Sequence, residues 1–343
     1  MRKLLNTLYV TSPDSYLSRD GLNVVVKIGE EEKFRLPVHN IEAIVTFGYM
    51  GVSPALLSLC TENNVSVCFL SGQGRFLARV SGKIRGNVLL RRQQYRYADD
   101  PDKALALSSV FVSSKIANCR NVVQRVIRDH GSPDEMPEMV SASATLALRQ
   151  KQAYQAQTIE ILRGIEGDAA NQYFGIFNHM IISQKEHFHI SNRNRRPPRD
   201  PVNAMLSFAY TLLANDVQSA LETVGLDPYV GFLHTDRPGR PSLALDLMEE
   251  LRPYLADRLV LTLINRKQIG INGFRSPGGI GIQMTDETRK EFITTWQKRK
   301  LDTILHPFLE ENISVGLLPH VQAILLARYI RGDMEAYPAF IMK

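Results

Sequence analysis

The chain is poor in cysteine: three in 343 residues, Cys60, Cys68 and Cys119, with no CxxC pair. They form no paired disulfide framework, they make Zn²⁺ a poorer expectation than a harder ion, and they lead us to expect a reducing, cytoplasmic setting. No stretch approaches the roughly 18 apolar residues of a membrane helix. The opening MRKLLNTLYVTS is broken at Asn6 and Thr7, too early for a signal peptide, so no membrane association is expected. No GxxxxGK[ST] and no strand-following GxGxxG occurs, which leaves nucleotide-driven chemistry without support. The GxSxG turn of acyl-transfer enzymes is missing as well. Internal repeats and low-complexity segments are lacking. Acid is in slight deficit, 35 Asp+Glu against 41 Lys+Arg, and the net charge of +6 permits an anionic partner such as nucleic acid.

A chain of this length makes about two domains, and its 44% hydrophobic content is that of an ordinary globular protein. The first ninety residues read as short strands: Leu4–Val10, Leu22–Ile28, Phe34–Val38, Ala43–Phe47, Val65–Leu70 and Phe76–Val80. Asp20-Gly21 is a hairpin signal between the first two. One helix interrupts them at Ala55–Glu62, with Ser53 as cap and Pro54 in the first turn. A basic, aromatic link, GNVLLRRQQYRY, follows and reads either as a nucleic-acid contact or as a solvated linker. Beyond it helices are expected over Lys103–His130, Ala142–Arg163, Gly164–Phe177, Pro201–Ala214, Leu243–Leu263 with a kink at Pro253, Asp286–Trp296 and Pro319–Ile330. The fold class is therefore α+β: a small N-terminal β-rich domain over 1–90, then a larger all-helical domain over 91–343.

The most informative stretch is Gly225–Pro253, GLDPYVGFLHTDRPGRPSLALDLMEELRP. It delivers His234 after a turn-rich segment and then a short loop carrying Arg237 and Arg240. A helix follows that Ser242 is expected to cap. On it Asp246, Glu249 and Glu250 stand at i, i+3 and i+4 and flank the apolar stripe. A histidine followed by such carboxylates suits a hard divalent metal; a solvated acidic face is the alternative. In LRGIEGDAANQYF, Glu166 shares a helix face with Leu162 and Tyr173, where a carboxylate needs a cation or hydrogen bonds to be buried. Asn192–Arg199, NRNRRPPR, puts Arg193, Arg195, Arg196 and Arg199 on a proline-stiffened segment. It is suited to phosphate oxygens, or is simply a solvated loop. Glu186-His187-Phe188-His189 contains only one ExxH, where a bundle di-metal site needs two.

LRGIEGDAANQYF, NRRPPRDPVNAMLSFAYTLL, GLDPYVGFLH and RPSLALDLMEELRP, in this order behind a β-rich start, resemble the CRISPR-associated endonuclease/integrase family, the catalytic subunit of spacer acquisition. The N-terminal half most resembles members found with type I-C systems. The resemblance covers essentially the whole chain. It implies a homodimer formed through the β domains and a small ferredoxin-like partner protein bridging two dimers. By similarity the metal ligands fall on Glu166, His234 and Glu249, with a further acidic residue at Asp246. Relatives often carry Asp at the last ligand, and Glu here leaves Glu249 or Glu250 open, spacing favouring Glu249. Such a set suits Mg²⁺ or Mn²⁺. The expected activity is insertion of short DNA duplexes into a CRISPR repeat array by 3′-hydroxyl attack on a phosphodiester, with the six arginines named above holding phosphates. A repair-type nuclease and a non-catalytic DNA-binding assembly protein are the rival readings.

Overall fold

In a computed structural model, described over residues 7–12, 14–72, 74–80, 82, 88–194, 197–279 and 281–342, short β-branched runs at the N-terminus form two four-stranded sheets. The strands are β1 (Thr7–Val10), β2 (Ser15–Asp20), β3 (Asn23–Ile28), β4 (Glu31–Pro37), β5 (Ala43–Phe47), β6 (Gly51–Val52), β7 (Ser66–Leu70) and β8 (Phe76–Val80). One sheet has the order β1-β5-β7-β8, parallel except at β8; the other runs β4-β3-β2-β6, antiparallel except at β6. Helix α1 (Pro54–Glu62) starts where expected, with Ser53 Oγ accepting from the Leu56 amide at 3.2 Å. Leu17, Val24 and Val26 of one sheet, Ile44 and Val67 of the other, and Leu56 and Leu59 of α1 share a single apolar core.

The hairpin signal is real but joins different strands. Asp20-Gly21 connects β2 to β3, pairing Asp20 with Asn23, and Gly21 has a φ of 59°. Strand β2, SYLSRD, escapes a reading by composition because only Leu17 marks its buried side. Of the expected first strand, Thr7–Val10 forms; Leu4–Asn6 lie outside the described residues.

The chain divides into two units: Met1–Gly86 with Ile293–Asp302 and Ser314–Leu317, and Asn87–Phe292 with Thr303–Ile313 and Leu318–Lys343. In the second, the expected linker is instead a helix, α2 (Val88–Asp99). Its Gln94 is buried, donating to the carbonyls of Asp227 and Val230 at 2.8 Å each and accepting from the Asp227 amide at 2.9 Å. That clamps the turn leading to His234. Helix α3 (Pro101–His130) runs through the middle, capped by Asp100, and packs against α2 and against α4 (Pro137–Tyr154) and α5 (Ile159–Gly175). The break between α4 and α5 lies at 155–158, not at Arg163/Gly164, because Thr158 caps α5 through the Ile161 amide. Buried Leu162, Ala169 and Tyr173 hold α5 helical through two glycines whose propensity argues for a stop.

Helix α6 (Pro201–Val224) runs past the expected end to Gly225, whose φ of 89° terminates it. The helix expected over Leu243–Leu263 is split: α7 (Ser242–Glu249), a π-helical turn over Pro253–Asp257, and α8 (Arg258–Asn265). Proline, lacking an amide hydrogen, accounts for the interruption at 253. Ser242 opens α7 instead of capping it; Pro241 holds the cap position and the Ser242 hydroxyl donates to the Thr235 carbonyl at 3.3 Å. α9 (Asp286–Leu301) and α10 (Leu318–Arg331) complete the helices used below. No helix among the described residues is long and apolar enough to cross a membrane.

Candidate catalytic site

The three acids on α7 and at its C-cap are not a solvated face: Asp246, Glu249 and Glu250 expose 0%, 1% and 0% of their surface. Each is buried against a different partner, and the partners define the site.

Asp246 binds the His234 loop. Its Oδ2 accepts from the amides of Phe232 (2.6 Å) and Leu233 (3.0 Å), and its Oδ1 from the amide of His234 (3.1 Å) and from Nδ1 of that ring (2.6 Å). A carboxylate at Nδ1 selects the tautomer of the neutral ring in which Nδ1 carries the proton and Nε2 the lone pair. The approach needs Gly231, where a Cβ would sit 2.7 Å from Asp246 Oδ2 and 2.8 Å from the Ser242 carbonyl carbon. Arg163 of α5 holds the same loop, donating to the Leu233 carbonyl at 2.6 Å.

Glu249 meets cations. Lys115 of α3 places its Nζ 2.8 Å from Glu249 Oε2 and 2.7 Å from Oε1 of Glu166 on α5. Arg252 reaches the other oxygen of Glu249 at 2.7 Å. Burial works against the charge on Glu249, but Arg252 and Lys115, helped by nearby His234, outweigh it and hold the carboxyl well below the usual range. For Lys115, too, burial opposes the charge, and Glu249 with Glu166 more than compensates, so the ammonium is held protonated.

Glu250 turns the other way. Its Oε1 accepts from the Tyr337 hydroxyl (2.7 Å) and Gln322 Nε2 (2.8 Å), and its Oε2 from the Phe340 amide (3.2 Å). Burial pushes its carboxyl up to about 8 against those three donated bonds. Between the two remaining acids of the expected set, the structure turns Glu249 toward Glu166 and Glu250 toward the C-terminal segment.

Lys115 and Arg252 are the residues that the sequence reading passed over. Lys115 had a signal: it stands four residues after Phe111 and four before Cys119, both buried. Arg252 follows Glu249 by one turn and stacks 4.9 Å from the Tyr210 ring centroid; Arg193 lies 5.2 Å from the same centroid. The Tyr210 hydroxyl donates to Asp257 Oδ1 at 2.7 Å.

The arginines separate. Arg193 is engaged internally, with Asn203 Oδ1 at 2.7 Å and Ser207 Oγ at 3.2 Å. Arg240 braces its own loop, donating to the carbonyl and to Oγ1 of Thr235. Arg199 and Arg237 are exposed, and Arg195 and Arg196 lie outside the described residues. His187 and His189 are exposed as well.

Among the described residues no three His, Cys, Asp or Glu side chains lie close enough to hold a metal ion. Two carboxylates close on an ammonium instead. The donor chemistry still fits a hard divalent ion, because two anionic carboxylates converge on one positive charge.

Comparison with known proteins places the chain. Residues 8–298 match the family model described as CRISPR associated protein Cas1. CRISPR-associated endonuclease Cas1 1 of Chlorobaculum tepidum is 48% identical over 343 residues, 100% of both chains. Two solved structures share the fold: a Cas6-RT-Cas1–Cas2 complex (TM-score 0.83, 23% identity, 99% of this chain and 36% of that one) and a casposase bound to its integration product (TM-score 0.82, 20% identity, 98% and 94%). The class these relatives define is that of the CRISPR-associated endonucleases. The chain belongs to the Cas1 family.

Proposed function

We propose that this chain is a metal-dependent DNA endonuclease/integrase that joins the 3′-hydroxyl of a short duplex to a phosphodiester of a CRISPR repeat. The observation that carries the reading is the convergence of Glu166 and Glu249, from separate helices, on one cation position, with the Asp246-bound His234 near enough to act electrostatically on Glu249. Glu166, His234 and Glu249 would hold Mg²⁺ or Mn²⁺, which supplies polarisation of the phosphate and stabilisation of the leaving oxygen.

The chain's own residues supply position and charge. Asp246 holds the imidazole tautomer, Arg163 and Gln94 fix the loop that carries it, and Arg252 keeps Glu249 ionised. No cysteine suits the role of nucleophile, and the sequence carries no GxSxG elbow for a serine. All three cysteines are buried, and burial pushes the Cys60 thiol up to about 12 and that of Cys119 well above its usual value. The attacking oxygen is then water or a DNA 3′-hydroxyl. The fold shared with a casposase bound to its integration product supports the DNA 3′-hydroxyl. Exposed Arg199 and Arg237 are the arginines presented for phosphate contact, with Arg195 and Arg196 on the same basic segment. The partners follow the same kinship. They are duplex DNA, a homodimer mate through the β domain, and a small ferredoxin-like protein in the place of the Cas2 named in the related complex.

The test supplies the protein and its small partner with Mn²⁺, a short duplex, and a supercoiled plasmid carrying a repeat array. Joined product is expected, and a fragment ending in a 3′-deoxy nucleotide should abolish it. Nicking without joining would point instead to a repair-type nuclease, and joining that ignores the 3′ end would overturn the mechanism.

A further inference from the structure

Lys115 has no part in the functional reading above, yet it occupies the centre of the site. A lysine in the buried middle of a long helix, its side chain only 15% exposed, loses hydration and side-chain freedom unless it is compensated. Here the compensation is two carboxylates that are the expected ligands of a divalent ion, Glu166 at 2.7 Å and Glu249 at 2.8 Å. The ammonium therefore stands between the same oxygens an entering ion needs.

The charges sharpen the point. Glu166, Glu249, Lys115 and Arg252 sum to neutrality as they stand. Arg252 is anchored by its stack on Tyr210 and by Glu249 Oε1, and it leaves Glu249 Oε2 to Lys115. An added divalent ion would raise the cluster to +2 with an ammonium a few ångströms away, a repulsion that a buried site screens poorly. Of the two cations, Lys115 is the one built to leave: its ammonium sits on a flexible four-carbon stem, whereas guanidinium is planar and stacked.

We propose that Lys115 is an internal counter-cation that holds Glu166 and Glu249 together in the metal-free protein and is displaced when a divalent ion enters. It is a positioning residue for the ion site, and the inference rests on the metal reading proposed above. Lys115 thereby keeps two carboxylates from repelling each other before loading, and it sets a threshold that the ion must exceed.

The experiment measures Mn²⁺ affinity by electron paramagnetic resonance and thermal stability with and without Mn²⁺, in the absence of DNA, on the full chain. Lys115→Met is expected to lower the melting temperature of the metal-free protein, to show a larger Mn²⁺-induced rise than the parent, and to bind Mn²⁺ at least about tenfold more tightly. Folding of Lys115→Met only when Mn²⁺ is present supports the proposal in the same way. If that variant fails to fold in either condition, Lys115→Arg decides. Its fork should hold both carboxylates more firmly and weaken Mn²⁺ binding, and unchanged or tighter binding overturns the proposal. Parent-like affinity and stability in Lys115→Met also overturn it. Glu249→Gln and Glu166→Gln separate this from failure of the metal reading. If the parent binds no Mn²⁺, or binds it equally well in those variants, the metal reading itself has failed and the displacement proposal falls with it.

Discussion

Adjacent residues at the end of α7 have opposite duties. Glu249 faces Lys115 and Arg252, while Glu250 faces Tyr337, Gln322 and the Phe340 amide. Removing either acid should destabilise the fold, since one leaves buried cations unpaired and the other leaves buried donors unmade, each costing about 2–5 kcal/mol. Stability therefore does not tell them apart. Glu249→Ala is expected to lose Mn²⁺ binding and cleavage at temperatures where it is folded, and Glu250→Ala to keep both. The reverse pattern in a binding titration would move the ligand to Glu250. Asp257 offers a pH signature. Burial raises its carboxyl from 3.8 to about 6, against the bond from Tyr210. Its folded form is favoured while neutral, so its contribution to stability is complete below about 3.8 and is lost as pH climbs through about 6. Urea denaturation from pH 4 to 7.5 should show the parent losing up to about 3 kcal/mol relative to Asp257→Asn over that window, and little further change above it. Parallel pH profiles would exclude the assignment.

At the scale of elements, the segment after α10 fastens α3 to the end of the Asp246–Glu250 stretch. Asn118 of α3 donates to the carbonyls of Glu250 (2.7 Å) and Phe340 (2.8 Å) and accepts from the Met342 amide (2.8 Å). It lies three residues from Lys115, so the same turn of α3 that meets Glu249 is pinned to the C-terminal strap. Asn118→Ala is expected to cost about 2–3 kcal/mol in urea melts, from several buried polar groups left unsatisfied. Loss of a few tenths only would show that the strap is incidental. The sequence places elements well where one apolar stripe runs unbroken, as at α3 and α10, or where a capping serine marks the start, as at α1. It misplaces them where local signals conflict with packing. The glycines of α5 suggested a stop that Leu162, Ala169 and Tyr173 override, and the charged VLLRRQQYRY folds as a helix because Gln94 and Arg91 find carbonyl partners more than 130 residues away.

Over the whole molecule, positive charge is distributed unevenly between structure and surface. Arg193, Arg240 and Arg252 are spent on internal bonds, and Arg199 and Arg237 remain exposed. Replacing the latter two by alanine should weaken duplex DNA binding about equally for all sequences and reduce the slope of log affinity against log salt by about 0.9 per lost contact. An unchanged slope would remove both from the DNA contact. The division into units also departs from a simple serial order, because Ile293–Asp302 belongs with the N-terminal unit, where Gln297 donates to the Thr7 carbonyl at 3.0 Å. No local pattern announces a return across 290 residues.

The sequence by itself determined the class of fold, the family, and the order of the motifs that carry Glu166, His234, Asp246 and Glu249. These are legible because periodicity, caps and motif spacing act over a few neighbouring residues, and each is written in the chain next to what it controls. Which way each acid of α7 turns was decided only by the tertiary structure. So were Lys115 as the cation between Glu166 and Glu249, and the engagement of Arg193 inside the protein. Those outcomes depend on partners far away in the chain that packing alone brings together: Lys115 lies 51 residues from Glu166, and Glu250 lies 87 from Tyr337. A carboxylate on a helix carries no local mark of whether a lysine, a histidine or a tyrosine will meet it. Burial makes one of them necessary, and the fold selects which.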